Sequence, residues 1–107
     1  MDIKPQPHIF QRLQDRMPAF MAAVGSMDHL IQKAGPLDEK YIRLIQVGGS
    51  AAIGSEGALL SHARAALEAG ATTAEIRHAL LCLTNSIGIA RVAMALCWVD
   101  DELNQNI

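Results

Sequence analysis

Ser61-His62-Ala63-Arg64-Ala65-Ala66-Leu67-Glu68-Ala69-Gly70-Ala71-Thr72-Thr73-Ala74-Glu75-Ile76 sets the architecture of the chain. Its opening half is rich in alanine, with leucine, arginine and glutamate, the residues that lose least on entering a helix. Gly70 offers the backbone conformation that most often ends one. Thr72-Thr73-Ala74-Glu75 then reads as a capping box, in which Thr72 and Glu75 satisfy each other's backbone amides at the start of the next helix. A helix stop is followed at once by a helix start.

The same punctuation extends in both directions. Ser55 is a natural N-cap for the helix Glu56–Ala69, and Gly54 ends the one before it. That earlier helix is capped by Asp38, with Glu39 in its first turn facing the dipole. Its apolar stripe is Tyr41, Leu44, Ile45, Val47, Ala52 and Ile53. Gly48-Gly49 inside it costs about 1 kcal/mol per glycine relative to alanine, which suggests that another backbone approaches closely there. Pro18 opens a helix to Lys33, stopped by Gly35-Pro36, with Phe20, Val24, Met27 and Ile31 on one face. A short first helix covers His8 to Arg16, with Pro5 and Pro7 keeping the residues before it extended. On the other side, Ile76, Ala79, Leu80 and Leu83 face inward from a fifth helix that also carries His78 and Asn85. Gly88 restarts the chain into a sixth helix ending near Trp98, and the acidic Asp100-Asp101-Glu102 is expected to fray. No strand pattern occurs. The expectation is an all-α fold of about six helices, one domain over residues 1–107.

Composition narrows the function. Of 107 residues 50% are hydrophobic and only 4% aromatic, with nine basic against eleven acidic side chains. A chain of this size buries only about two thirds of its unfolded surface, so apolar area should be left for other subunits to cover. A net charge of −2 offers no basic face for nucleic acid. Cys82 and Cys97 form no C-x-x-C and sit among apolar neighbours, which predicts buried, reduced thiols and a cytoplasmic protein. The N-terminal residues carry no secretory pattern. Ala79 to Val99 is the one candidate for a membrane span, but Arg91 and Thr84-Asn85-Ser86-Ile87-Gly88 interrupt it, so no membrane is expected. His8, His29, His62 and His78 have no metal-ligand spacing, and Gly48-Gly49 and Gly54 match no phosphate loop. Neither metal nor cofactor is expected.

The quoted stretch, together with Leu37-Asp38-Glu39-Lys40 and with Gly88 leading into an alanine-rich last helix, resembles the carboxymuconolactone decarboxylase and alkylhydroperoxidase D-like superfamily. The likeness runs from about Phe20 to Trp98. It implies an alkylhydroperoxidase D-like helical bundle, a homotrimer or homohexamer, and a catalytic role for His62. Peroxidase members carry a C-x-x-C ahead of that histidine and a glutamate on the preceding helix. By spacing from His62, the cysteine places here are Ser55 and Ala58 and the glutamate place is Arg43. Thiol peroxidation needs a thiolate to attack the peroxide and a second thiol to resolve the sulfenic acid, and serine and alanine do neither. The expectation is that the chain is not a thiol peroxidase.

The decarboxylase branch has no use for the thiol pair. It needs a cation to hold a carboxylate and a donor to protonate carbon. His62, with an ordinary pKa near 6.5, suits the donor role. Arg43, Arg64 or Arg91 suits the cation, with Ser55 and His78 as further substrate-binding candidates. The chain departs from true decarboxylases in carrying His78 at a glutamate place and Ser86-Ile87-Gly88 at an aromatic-glycine place, and it shows no aromatic pocket wall.

Each candidate has a plainer explanation. His62 shares a stripe with Ser55, Ala58, Leu59 and Ala69 at the edge of the apolar arc, which also suits a structural histidine at an interface. Ser55 is an N-cap more readily than a nucleophile, since no Gly-x-Ser-x-Gly elbow surrounds it. His78 and Asn85 line either a polar slot or a solvated edge. Arg91 anchors a ligand or pairs with an acid on a neighbour. Three readings stand: a thiol-independent lyase acting on a small organic acid, a non-catalytic oligomeric binding or scaffold protein, and, last, a peroxidase-type antioxidant.

Overall fold

A computed structural model describes the backbone of residues 5–103 and the side chains of residues 10–103. The fold is all-α: α1 (Pro5–Arg16), α2 (Pro18–Lys33), α3 (Glu39–Ile53), α4 (Glu56–Glu68), α5 (Thr73–Leu81), α6 (Thr84–Ile87) and α7 (Ile89–Leu103). Helix α1 starts earlier than expected, at Pro5. Prolines in a first turn lack only amides that have no partner within the helix, so they open α1 rather than holding the chain extended.

The chain divides into two compact units between Asp38 and Glu39. The N-terminal unit is the pair α1–α2, joined at Met17, whose amide donates to Leu13 O at 2.7 Å. Helix α2 has the bounds that Pro18 and Gly35-Pro36 imply, yet it buries no residue. Phe20, Val24, Met27 and Ile31, expected on one face of the helix, are all exposed.

The second unit holds the core. Val47 and Ala51 from α3, Leu59, Ala63 and Ala66 from α4, Ile76 and Leu80 from α5, and Ala95 and Val99 from α7 form one buried cluster with Ala71. Alanine at five of these places keeps the helix axes close. The buried face of α3 is Val47, Ser50 and Ala51, so Tyr41, Ile45, Ala52 and Ile53 of the expected stripe lie outside it. Residues two, five or six places from Val47 point away from it on a helix of 3.6 residues per turn. At Gly48 a Cβ would sit 3.4 Å from Leu83 Cδ1, and at Gly49 it would meet nothing. The glycine pair therefore admits one leucine side chain, not a backbone.

The turn between α4 and α5 matches the sequence closely. Gly70 takes φ +102. Thr72 Oγ1 accepts from the Glu75 amide at 3.0 Å, and Glu75 Oε1 accepts from the Thr72 amide at 2.9 Å. The expected fifth helix, however, stops at Leu81. The Thr84 hydroxyl donates to Leu81 O at 2.8 Å, a local bond that competes with helix continuation and opens the short α6. His78 and Asn85 consequently lie on different helices. The acidic end of α7 is helical rather than frayed. Arg77 Nε donates to Asp100 Oδ1 at 2.7 Å, and Arg64 pairs with Glu102. Among the described residues no helix is long and apolar enough to cross a membrane.

Candidate functional site

The α3–α4 turn is built by two residues that the sequence marks. Gly54 adopts φ +72, in the left-handed region, and its amide closes on Ala51 O at 3.1 Å while the Ser55 amide reaches Ser50 O at 3.0 Å. These bonds satisfy carbonyls that α3 would otherwise leave open. Ser55 is extended (φ −95, ψ 101), and its hydroxyl accepts from the Ala58 amide at 3.4 Å. Ser55 is thus the N-cap of α4.

Arg91 reaches this turn from the start of α7. Its Nη1 donates to Ala52 O at 3.3 Å. Gly54 leaves the space for it: a Cβ there would collide with Arg91 Nη1 and lie 3.3 Å from Cζ. Beside the guanidinium opens a cleft of about 280 Å³ lined by Gly54, Ala90, Arg91, Met94 and Trp98. Met94 is exposed and Trp98, the chain's single tryptophan, is half-buried against the core. Trp98 supplies an aromatic wall where none was expected. The signal was present, since Arg91, Met94 and Trp98 stand at i, i+3 and i+7 on one face of α7.

The three candidate arginines have separate surroundings. Arg43 donates to Gln46 Oε1 at 3.1 Å and to Glu39 Oε2 at 3.4 Å. Arg64 is engaged by Glu102. Arg91 meets only a neutral carbonyl, and no carboxylate among the described residues pairs with it.

His62 is half-buried at the edge of the buried face of α4, beside Leu59, Ala63 and Ala66. Seven residues separate it from Ser55, about 10 Å along the helix axis. It does not line the Arg91 cleft, and neither does His78, which is exposed on α5. The structure therefore brings Arg91 to the Gly54-Ser55 turn and leaves His62 and His78 outside the cleft.

Both cysteines, expected to be buried, are exposed and free. Cys82 falls where α5 has already ended, and Cys97 points away from the buried Ala95 and Val99 of α7. Burial therefore does not protect either thiol. Among the described residues, no three His, Cys, Asp or Glu side chains gather as a metal site would require. One carboxyl has a distinct environment. The Thr72 amide first, and then Lys40 at 3.1 Å, hold Glu75 below its ordinary pKa of 4.5. It belongs to the α5 cap, away from Arg91.

A sequence model of the carboxymuconolactone decarboxylase family matches residues 18–101. No curated protein and no solved structure matches the chain.

Proposed function

The chain belongs to the carboxymuconolactone decarboxylase family, and on that premise we propose that it is a thiol-independent, lyase-type enzyme acting on a small organic acid. Arg91 anchors the substrate carboxylate and His62 is the proton donor. The observation that carries this reading is the setting of Arg91: an exposed guanidinium without a carboxylate partner among the described residues, at the head of an apolar cleft. In such a reaction the bond to the departing carboxyl breaks, CO2 leaves, and the electron pair stays on the substrate. The His62 imidazolium then delivers a proton to that carbon. Ser55, next in the chain to Gly54, and His78 from α5 complete the proposed substrate-binding set, although neither lines the cleft.

Residues 1–107 act as one domain in this reading, which the family match supports by running through both compact units. The working form is a homotrimer or homohexamer. Its support is the exposed apolar surface, including Met27, Leu30, Ile45, Ile53 and Ile89, each at least 60% exposed. Free thiols at Cys82 and Cys97 suit a cytoplasmic setting. Thiol independence rests on Ser55 and Ala58 at the two cysteine places, since neither side chain can form a thiolate.

A second reading, an oligomeric binding or scaffold protein without catalysis, is favoured by one observation: His62 does not line the Arg91 cleft. Turnover separates the two. CO2 release from a panel of lactone acids, with an essential group titrating near neutrality and lost in His62→Ala, supports the enzyme. Acid binding that needs Arg91 but yields no product supports the binding protein. Hydroperoxide consumption that disappears in the Cys82→Ser, Cys97→Ser double variant would overturn thiol independence.

A further inference from the structure

We infer that the Arg91 cleft selects a monocarboxylate whose flat apolar body lies along α7 on Met94 and Trp98. The inference rests on the reading of Arg91 as a carboxylate anchor and adds to it the class of acid. Trp98 is its specificity-determining residue.

The charge of the ligand follows from the lining. Arg91 is the only charged side chain among Gly54, Ala90, Arg91, Met94 and Trp98. A second carboxylate laid along the Met94–Trp98 path would displace apolar contact and meet no cation, so it gains nothing there. One anionic group is what the lining pairs.

The position of that group follows from Gly54. With Nη1 turned to Ala52 O, the guanidinium is held against the turn at one end of the cleft, and its fork has further N–H donors for a planar carboxylate. The body of the ligand must then run the other way, along α7. Met94 is one turn on and Trp98 two turns on, about 10 Å along the axis. Thioether and indole give that path polarisable, flat apolar contact, which suits a planar ring or conjugated body. Size sets the upper bound. At about 280 Å³ the cleft lies just below the roughly 300–1,000 Å³ of pockets for drug-sized ligands, so a single ring fits the space better than a larger scaffold.

Trp98 makes the test direct, because it is the only tryptophan in the chain. Benzoate, acetate and phthalate are titrated into the full-length protein, followed by Trp98 fluorescence and by calorimetry. Benzoate is expected to bind at least about tenfold tighter than either other acid, roughly 1.4 kcal/mol. Arg91→Gln should abolish binding of all three. By calorimetry, Trp98→Leu should bring benzoate down to the affinity of acetate, and Trp98→Phe, which keeps a flat ring, should retain the preference. Equal binding of benzoate and acetate to the wild type, both lost in Arg91→Gln, overturns the flat apolar body and leaves the anchor standing. Phthalate binding as tightly as benzoate overturns the single charge. Acids that do not bind, or that bind regardless of Arg91, overturn the inference and the anchor together. The wild-type comparison decides the matter even if a Trp98 variant fails to fold.

Discussion

Replacing Gly54 by alanine should couple stability to Arg91. The substitution acts in two ways. A non-glycine residue at φ +72 costs about 1–2 kcal/mol, because its Cβ crowds the backbone in the left-handed region. The new Cβ would also collide with Arg91 Nη1 and dislodge it from Ala52 O, a hydrogen bond of about 0.5–1.5 kcal/mol, at the low end for an exposed guanidinium. The expected total is about 2 kcal/mol. In a domain near 100 residues this lowers Tm by roughly 8–16 °C, at about 4–8 °C per kcal/mol. In an Arg91→Ala background the collision is absent and only the backbone cost remains. The double-mutant cycle should therefore show a coupling of about 0.5–1 kcal/mol. Thermal and urea melts by circular dichroism, all at one protein concentration because the proposed subunit association would shift Tm, measure each corner of the cycle. An equal cost of Gly54→Ala in both backgrounds would refute the placement of Arg91 against the turn.

Ile76 is fully buried in the α5 face, so Ile76→Ala should destabilise by about 2–5 kcal/mol in urea denaturation. Asp100→Asn with Glu102→Gln should cost at most about 1 kcal/mol at the part-exposed Arg77–Asp100 pair and more at Arg64–Glu102, whose carboxylate is largely buried, and should speed amide exchange in the last turns of α7, with exchange in α4 unchanged. Glu75 has its folded pKa depressed below 4.5, so its contribution is fully present above that value and is lost as pH falls from 4.5 through the lower folded pKa. Acid titration followed by circular dichroism should show that loss in the wild type and a shallower one in Glu75→Gln.

Where the sequence could be read, local chemistry was sufficient. Gly70, the Thr72–Glu75 box, Ser55 and Pro18 each act through bonds within a few residues of themselves, and each occupies the expected place. Burial was less legible because it depends on partners the local pattern does not name. Phe20 to Ile31 repeats as an inward face does, yet α2 buries none of it. Cys82 and Cys97 have apolar neighbours in sequence but point outward in space. The break after Leu81 turned on one hydroxyl, Thr84, donating to a carbonyl that could equally have continued a helix. For the site, Arg91 was visible as a charge in an apolar helix. Trp98 was within reach of the same pattern, at i+7 on one helix face, whereas Gly54 was not, because it comes from another helix end.

The arginines divide their work across α7, and that division explains how the cleft keeps its shape. Helix α7 packs on α3, α4 and α5, and one arginine ties it to each. Arg64 from α4 holds Glu102 and Arg77 from α5 holds Asp100, fixing the C-terminal end, while Arg91 itself bonds to Ala52 O at the end of α3. Asp100 and Glu102 are thus paired at the opposite end of α7 from Arg91. Val92, Ala95 and Val99 face the core, which turns Arg91 and Met94 to the open side and leaves Trp98 at its margin. Freeing the acidic end would let α7 rotate or fray from Leu103 backwards, reaching Trp98 before Arg91. The Asp100→Asn, Glu102→Gln variant should accordingly weaken benzoate binding while leaving acetate binding unchanged. Equal loss of both acids would show that the clamp positions the guanidinium instead.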